Sequence, residues 1–211
     1  MQNEMESQMK DNVERLGRSE EGFTGMHMES ICIETNQIYY RVEVLCRSLA
    51  GVPIPIITLS ANRSLENARP FKKRKYILVT ARVHPGETNS SFKMQGLIHF
   101  LTRKGERVAQ SLRENFVFKI VPVLNPDGVV LGNFRTSLAG VDLNRRWQQP
   151  DRIVHPTIFH LKELISRITQ QNGKEILVYC DMHGHSKKKN SFIYGCNTAA
   201  NGGFCSWTKV L

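Results

Sequence analysis

No apolar run in this chain of 211 residues approaches the roughly 20 residues that a membrane helix needs. Its polar, acidic start, Met1-Gln2-Asn3-Glu4-Met5, lacks the basic-then-apolar order of a secretory signal. No CxxC pair occurs, and the five cysteines, Cys32, Cys46, Cys180, Cys196 and Cys205, are odd in number and irregularly spaced. That usage argues against a disulfide framework and points to a reduced, cytoplasmic setting in which cysteines serve as small core residues. Acidic residues are scarce: 19 Asp and Glu stand against 29 Lys and Arg, for a net charge of +10. The excess is concentrated in Lys72-Lys73-Arg74-Lys75 and Lys187-Lys188-Lys189, which read either as solvated loops or as attraction for an acidic partner. No RNA-binding motif, zinc finger or recognition helix accompanies the charge, so nucleic acid is disfavoured. No Asp or Glu follows Asp181.

What remains is an α/β pattern. Residues 1–30 are polar and Met-rich and read as a tail or linker; residues 31–211 read as one domain. Apolar runs predict strands over 38–45, 54–59, 76–80, 115–124 and 176–180, with the proline of the second favouring a sheet edge. The spacing predicts a helix after 89–91, capped by Asn89, Ser90 or Ser91, with Phe92, Leu97, Ile98 and Leu101 inward and Gly105 at its end. A second helix opens at Pro156, carries Ile158, Leu161, Leu164, Ile165 and Ile168 on one side, and closes at Asn172-Gly173. Asn125-Pro126-Asp127-Gly128 reads as a turn. Strands alternating with amphipathic helices imply a parallel or mixed sheet covered by helices.

The chemistry gathers at strand ends. His84 and Glu87 leave the 76–80 run on a turn whose Pro85 and Gly86 argue against a helix, so the HExxH pattern of helical zinc sites does not apply. An imidazole and a carboxylate three positions apart can face one point, and a catalytic zinc site needs three protein ligands and an open position. The third candidate lies in Asp181-Met182-His183-Gly184-His185, where Asp181, His183 and His185 compete; Gly184 suggests a break that leaves one histidine in reach. Asn144 and Arg145 can grip a carboxylate through an amide and a guanidinium, and Arg135 can polarise a carbonyl.

The ordered set His84-Pro85-Gly86-Glu87-Thr88-Asn89-Ser90-Ser91, Asn125-Pro126-Asp127-Gly128-Val129, Gly132-Asn133-Phe134-Arg135, Asp142-Leu143-Asn144-Arg145 and Asp181-Met182-His183-Gly184-His185-Ser186 resembles the cytosolic carboxypeptidases, the tubulin-deglutamylating branch of the zinc carboxypeptidases. The resemblance covers residues 45–195, and the stretch from Ala81 to Asn89 sets this branch apart from the secreted digestive enzymes. It implies an α/β/α sandwich around a mixed sheet. It also implies one Zn2+ held by His84, Glu87 and His183, with Asn144 and Arg145 binding the substrate's terminal carboxylate and Arg135 acting catalytically on the scissile carbonyl. The substrates implied are acidic polypeptide C-terminal tails, tubulin among them, losing C-terminal residues such as glutamate. Gly86 stands where digestive relatives have a cationic residue. The family's glutamate base lies downstream of the last ligand, where this sequence has no acid, so an incomplete catalytic domain is expected. Three alternatives compete: a catalytically inactive module binding acidic C-terminal peptides, a charge-driven nucleic-acid binder, and an aspartoacylase-type amidohydrolase.

Overall fold

Alternation along the central strands builds the architecture. Leu78 and Tyr179 face one apolar cluster while their neighbours Val79 and Cys180 face another, as the period of two in a strand requires when both sides of a sheet are covered. The computed structural model describes residues 31–34, 37–66, 68–171, 174–195 and 207–210, the side chains of 31–34, 171 and 207–210 excepted. Residues 1–30, the Asn172-Gly173 pair and Cys196 lie outside that description.

The strands are β1 (Ile31–Glu34), β2 (Ile38–Arg47), β3 (Pro53–Ala61), β4 (Lys75–Ala81), β5 (Phe116–Val121), β6 (Ile176–Met182), β7 (Ile193–Tyr194) and β8 (Trp207–Val210). They form one sheet in the order β1-β2-β3-β5-β4-β6-β8-β7. β5, β4, β6 and β8 run parallel; the remaining pairings are antiparallel. Helices α1 (Thr88–Thr102) and α2 (Arg107–Asn115) cover one face, where Met94 and Leu101 join Val79, Phe118 and Ile120. Helix α4 (Pro156–Ser166) covers the other, where Ile158 and Leu161 join Ile54, Leu78 and Val121. α3 is the short Pro126–Val130 helix. The result is the expected helix-sheet-helix sandwich around a mixed sheet.

Five local expectations are corrected. β3 is interior, between β2 and β5. Its prolines are tolerated because β5 pairs only with Ile57, Thr58 and Leu59, and a bulge between Val44 and Cys46 relaxes the other side. Helix α1 begins one residue before the candidate caps: Glu87 is its N-cap without a side-chain cap bond, and Ser90 is buried, donating back to the Glu87 carbonyl. Phe92 points outward at 72% exposure. Asn125-Pro126-Asp127-Gly128 opens α3, with Asn125 Oδ1 accepting from Gly128 N at 3.1 Å and Pro126 in the first turn. Arg74 is not solvated charge: it is 1% exposed and donates to the carbonyls of Arg69 and Ala61, both at 2.6 Å. Lys187, Lys188 and Lys189 are exposed.

Candidate metal centre

The parallel strands β4 and β6 are adjacent and end together, with Ala81 opposite Met182, so the residues leaving their C-terminal ends meet. β4 delivers His84 and Glu87; β6 delivers Asp181 and His183. His84 and His183 are both buried, and Glu87 is partly exposed.

Both imidazoles aim the same atom inward. His84 Nδ1 lies 2.8 Å from Glu87 Oε1 and His183 Nδ1 lies 3.1 Å from Glu87 Oε2, the three side chains presenting ligand atoms within 4.8 Å of one another. Both outer nitrogens are held by carboxylates: His84 Nε2 is 3.1 Å from Asp142 Oδ1, and His183 Nε2 is 2.7 Å from Asp181 Oδ2. A carboxylate on the outer nitrogen orients the ring and leaves the inner nitrogen as a lone-pair donor, the arrangement of metal-bound histidine. Two neutral nitrogens and one carboxylate are a donor set suited to zinc, with room for a fourth ligand. Asp181 is fixed in turn, its Oδ1 accepting from Thr80 Oγ1 at 2.7 Å. The two aspartates are thus engaged as orienting groups. His185 turns away: it is exposed, and its Nδ1 accepts from the backbone N–H groups of Lys187 and Lys188.

Gly184 lets the backbone close on Glu87. Its N–H donates to Glu87 Oε2 at 2.7 Å, and a Cβ there would lie 2.6 Å from Asn89 Oδ1 and 3.2 Å from Glu87 Cγ. Gly86 plays a similar part on the ligand turn: its N–H donates to the Phe134 carbonyl at 2.8 Å, and a Cβ would collide with the Phe134 ring at 2.5 Å. That packing explains why a small residue stands there.

Asp142 joins the metal centre to the cationic groups. Besides His84 it accepts from Arg135 Nε at 2.8 Å and from the Asn144 backbone N–H at 2.8 Å, and Arg145 Nε lies 4.0 Å away. Arg135 and Arg145 are largely exposed, at 44% and 65%. Asn144 Oδ1 accepts from Trp147 Nε1 at 2.9 Å, whereas its buried Nδ2 has no hydrogen-bond acceptor among the described residues. Sequence reasoning weighed Asp181 as a competing ligand, placed Asp142 within a motif, and missed the orienting role of both. The signal was available for Asp181, because two residues along a strand share a face with His183.

Electrostatics follow the contacts. Burial opposes ionisation of Glu87, but bonds from His183, His84 and the Gly184 N–H hold its carboxyl well below the usual range. Burial likewise opposes the charged form of His183, and the Asp181 and Glu87 carboxylates outweigh it, raising the imidazole to about 9. In the metal-free protein, Glu87 therefore contributes stability above its ordinary value of 4.5 and loses it as pH falls further. His183 contributes stability fully below 6.5, and this is lost as pH rises towards about 9. Thermal unfolding of metal-free protein is expected to move to lower temperature between those two values. With zinc in place of the proton that decline should vanish, and a parallel decline in both forms would contradict the metal reading.

Asp181→Asn tests the orienting role. It keeps the shape but weakens the hold on His183 Nε2, and zinc affinity is expected to fall about 10–100-fold in competition with a chromophoric chelator. An unchanged affinity would remove Asp181 from the centre.

Comparison with known proteins identifies the family. The zinc carboxypeptidase family profile matches residues 30–198. The chain is 48% identical over 196 residues to cytosolic carboxypeptidase 1 of Xenopus laevis, covering 87% of this chain and 16% of that protein. It is also 48% identical over 176 residues to cytosolic carboxypeptidase 4 of Mus musculus, covering 81% of this chain and 16% of that protein. Among solved structures, a putative carboxypeptidase A from Shewanella denitrificans superposes with a TM-score of 0.66 at 28% identity, covering 77% of this chain and 39% of the other. The chain thus spans about a sixth of the curated relatives' length, at 16%. With the profile running across β4, β6 and the segments between them, the chain belongs to the zinc carboxypeptidase family.

Proposed function

We propose that this chain carries the metal- and carboxylate-binding groups of a cytoplasmic zinc carboxypeptidase acting on acidic polypeptide C-terminal tails, such as those of tubulin, from which it removes glutamate. One Zn2+ per chain is held by His84, Glu87 and His183. The observation that carries the reading is the double role of Asp142, which takes the outer nitrogen of His84 and an N–H of Arg135 on one carboxylate. It fixes a metal ligand and a carbonyl-directed cation relative to each other.

When bound, the zinc lowers the pKa of a water and polarises a carbonyl. The chain's own residues do the rest. Arg145 and Asn144 hold the substrate's terminal carboxylate; the unpaired Nδ2 of Asn144 supports this, since a donor without an acceptor is what a site for an anion leaves behind. Arg135 spends Nε on Asp142 and has its terminal nitrogens for the scissile carbonyl. The exposed Lys187, Lys188 and Lys189 follow His183 closely in the chain and favour an acidic tail. The names of the curated relatives support the cytoplasmic placement, and among the described residues no helix is long and apolar enough to cross a membrane.

Arg145→Ala is expected to weaken binding of a glutamate-ended peptide by about 10–100-fold, the range of a hydrogen bond to a charged group. The same peptide amidated at its C-terminus should bind weakly to both proteins, because the group that Arg145 holds is gone. Equal binding of acid and amide by the parent chain would overturn the assignment. A second reading, an inactive module binding acidic C-terminal peptides, is favoured by one observation. Glu87, Asp142 and Asp181 are each already committed to an imidazole. Binding without hydrolysis, even in a zinc-loaded longer version that contains a downstream glutamate, would select it.

A further inference from the structure

Arg82 immediately follows β4 and has a φ of 60°, in the left-handed region that non-glycine residues rarely enter. Such strain persists where the surroundings over-determine it, and it gathers at functional sites. Here the bend turns the chain so that Val83 enters the core, at 0% exposure, and the next residue is His84. The guanidinium then reaches forward over the ligand turn. Its Nε donates to the Pro85 carbonyl at 2.7 Å, and Nη1 donates to Ser91 Oγ in α1 at 2.7 Å. Among the described residues no carboxylate pairs with it, so both directed bonds go to neutral oxygens that locate a backbone bend and a helix. The turn is also held by Asn125 Nδ2 on the Val83 carbonyl at 3.2 Å and by the Phe134 carbonyl on Gly86 N–H. Arg82 supplies the side that faces α1.

We propose that Arg82 is a positioning residue of the metal centre: its two-pronged bond to Pro85 and Ser91 sets the distance between His84 and Glu87 before the ion arrives. The fork is planar and its donors have fixed directions, which lysine cannot copy. The proposal rests on the metal reading above.

Glycine separates the two properties of this residue. Arg82→Gly removes the backbone strain together with the grip. If Arg82 positions the ligands, R82G in the metal-free chain should unfold at a temperature no lower than the parent, while its zinc dissociation constant rises about 10-fold or more. R82K, which keeps the charge and the strain but loses the fork, should show a similar loss of zinc affinity. Zinc binding by R82G and R82K equal to that of the parent would overturn the proposal. A matched fall in metal-free stability for both variants would also overturn it, marking Arg82 as structural only. If the parent chain itself bound no zinc, the metal reading would fail first and Arg82 with it, an outcome distinct from parental binding that the variants leave unchanged.

Discussion

Replacing His84 or His183 with alanine is expected to lower zinc affinity on the order of 10³-fold and to leave the fold in place. Structural zinc sites gain roughly 10–16 kcal/mol in all, so each of three or four ligands accounts for about 3–5 kcal/mol. Each histidine also occupies a buried position with two carboxylate partners. Removing the His183 ring leaves Asp181 buried with one oxygen still held by Thr80. Some loss of stability is therefore expected there. His84→Ala faces the more exposed Asp142, which retains Arg135, and gives the cleaner readout. Zinc content after dialysis, measured beside circular dichroism, checks both. Parental zinc content in His84→Ala would remove the centre from this position.

Arg135→Ala is expected to lower kcat by about 10²–10³-fold, the usual cost of one donor aimed at a developing oxyanion. KM and zinc content should change little. The geometry supports a specific control. Arg135 also pairs with Asp142, which orients His84, so some of its effect can pass through the metal. Arg135→Lys keeps a cation near Asp142 but loses the planar fork. A kcat loss in both variants with unchanged zinc affinity assigns Arg135 to the substrate carbonyl. A loss that follows zinc affinity assigns it to Asp142 alone. Because no Asp or Glu follows Asp181, the assay is release of glutamate from a glutamate-ended peptide by a zinc-loaded version extended to include a downstream glutamate, and an unaltered kcat would contradict the role.

The strand ends were the legible part of this chain. The run ending at Thr80 and the run ending at Cys180 could be read from continuous apolar residues, and parallel pairing of their strands makes His84 and His183, 99 positions apart in the sequence, neighbours through the register of Thr80 with Asp181. That only one histidine stays in reach could be read as well from Gly184: β6 ends at Met182, and His185 lies exposed beyond the glycine. Three features were hidden for physical reasons. β3 looked like an edge because proline removes a ladder donor, and sequence does not reveal that the neighbouring strand stops short of it. Helix α2 over Arg107–Asn115 has few apolar residues, and its inward Arg113 is buried while donating to the Leu101 carbonyl, against any hydrophobic pattern. Arg74 and Arg82 carry positive charge in segments that read as solvated or as part of a motif, yet both spend their guanidinium on backbone carbonyls. Composition shows where a charge sits along the chain and not which oxygen it finds.

X-ray absorption at the zinc edge of the loaded chain tests the centre most directly. Two imidazoles and one carboxylate with a fourth light ligand predict nitrogen and oxygen scatterers at about 2.0–2.2 Å, multiple scattering from two rings, and loss of one ring in His84→Ala. A sulfur shell at about 2.3 Å, or a spectrum that His84→Ala leaves unchanged, would contradict it.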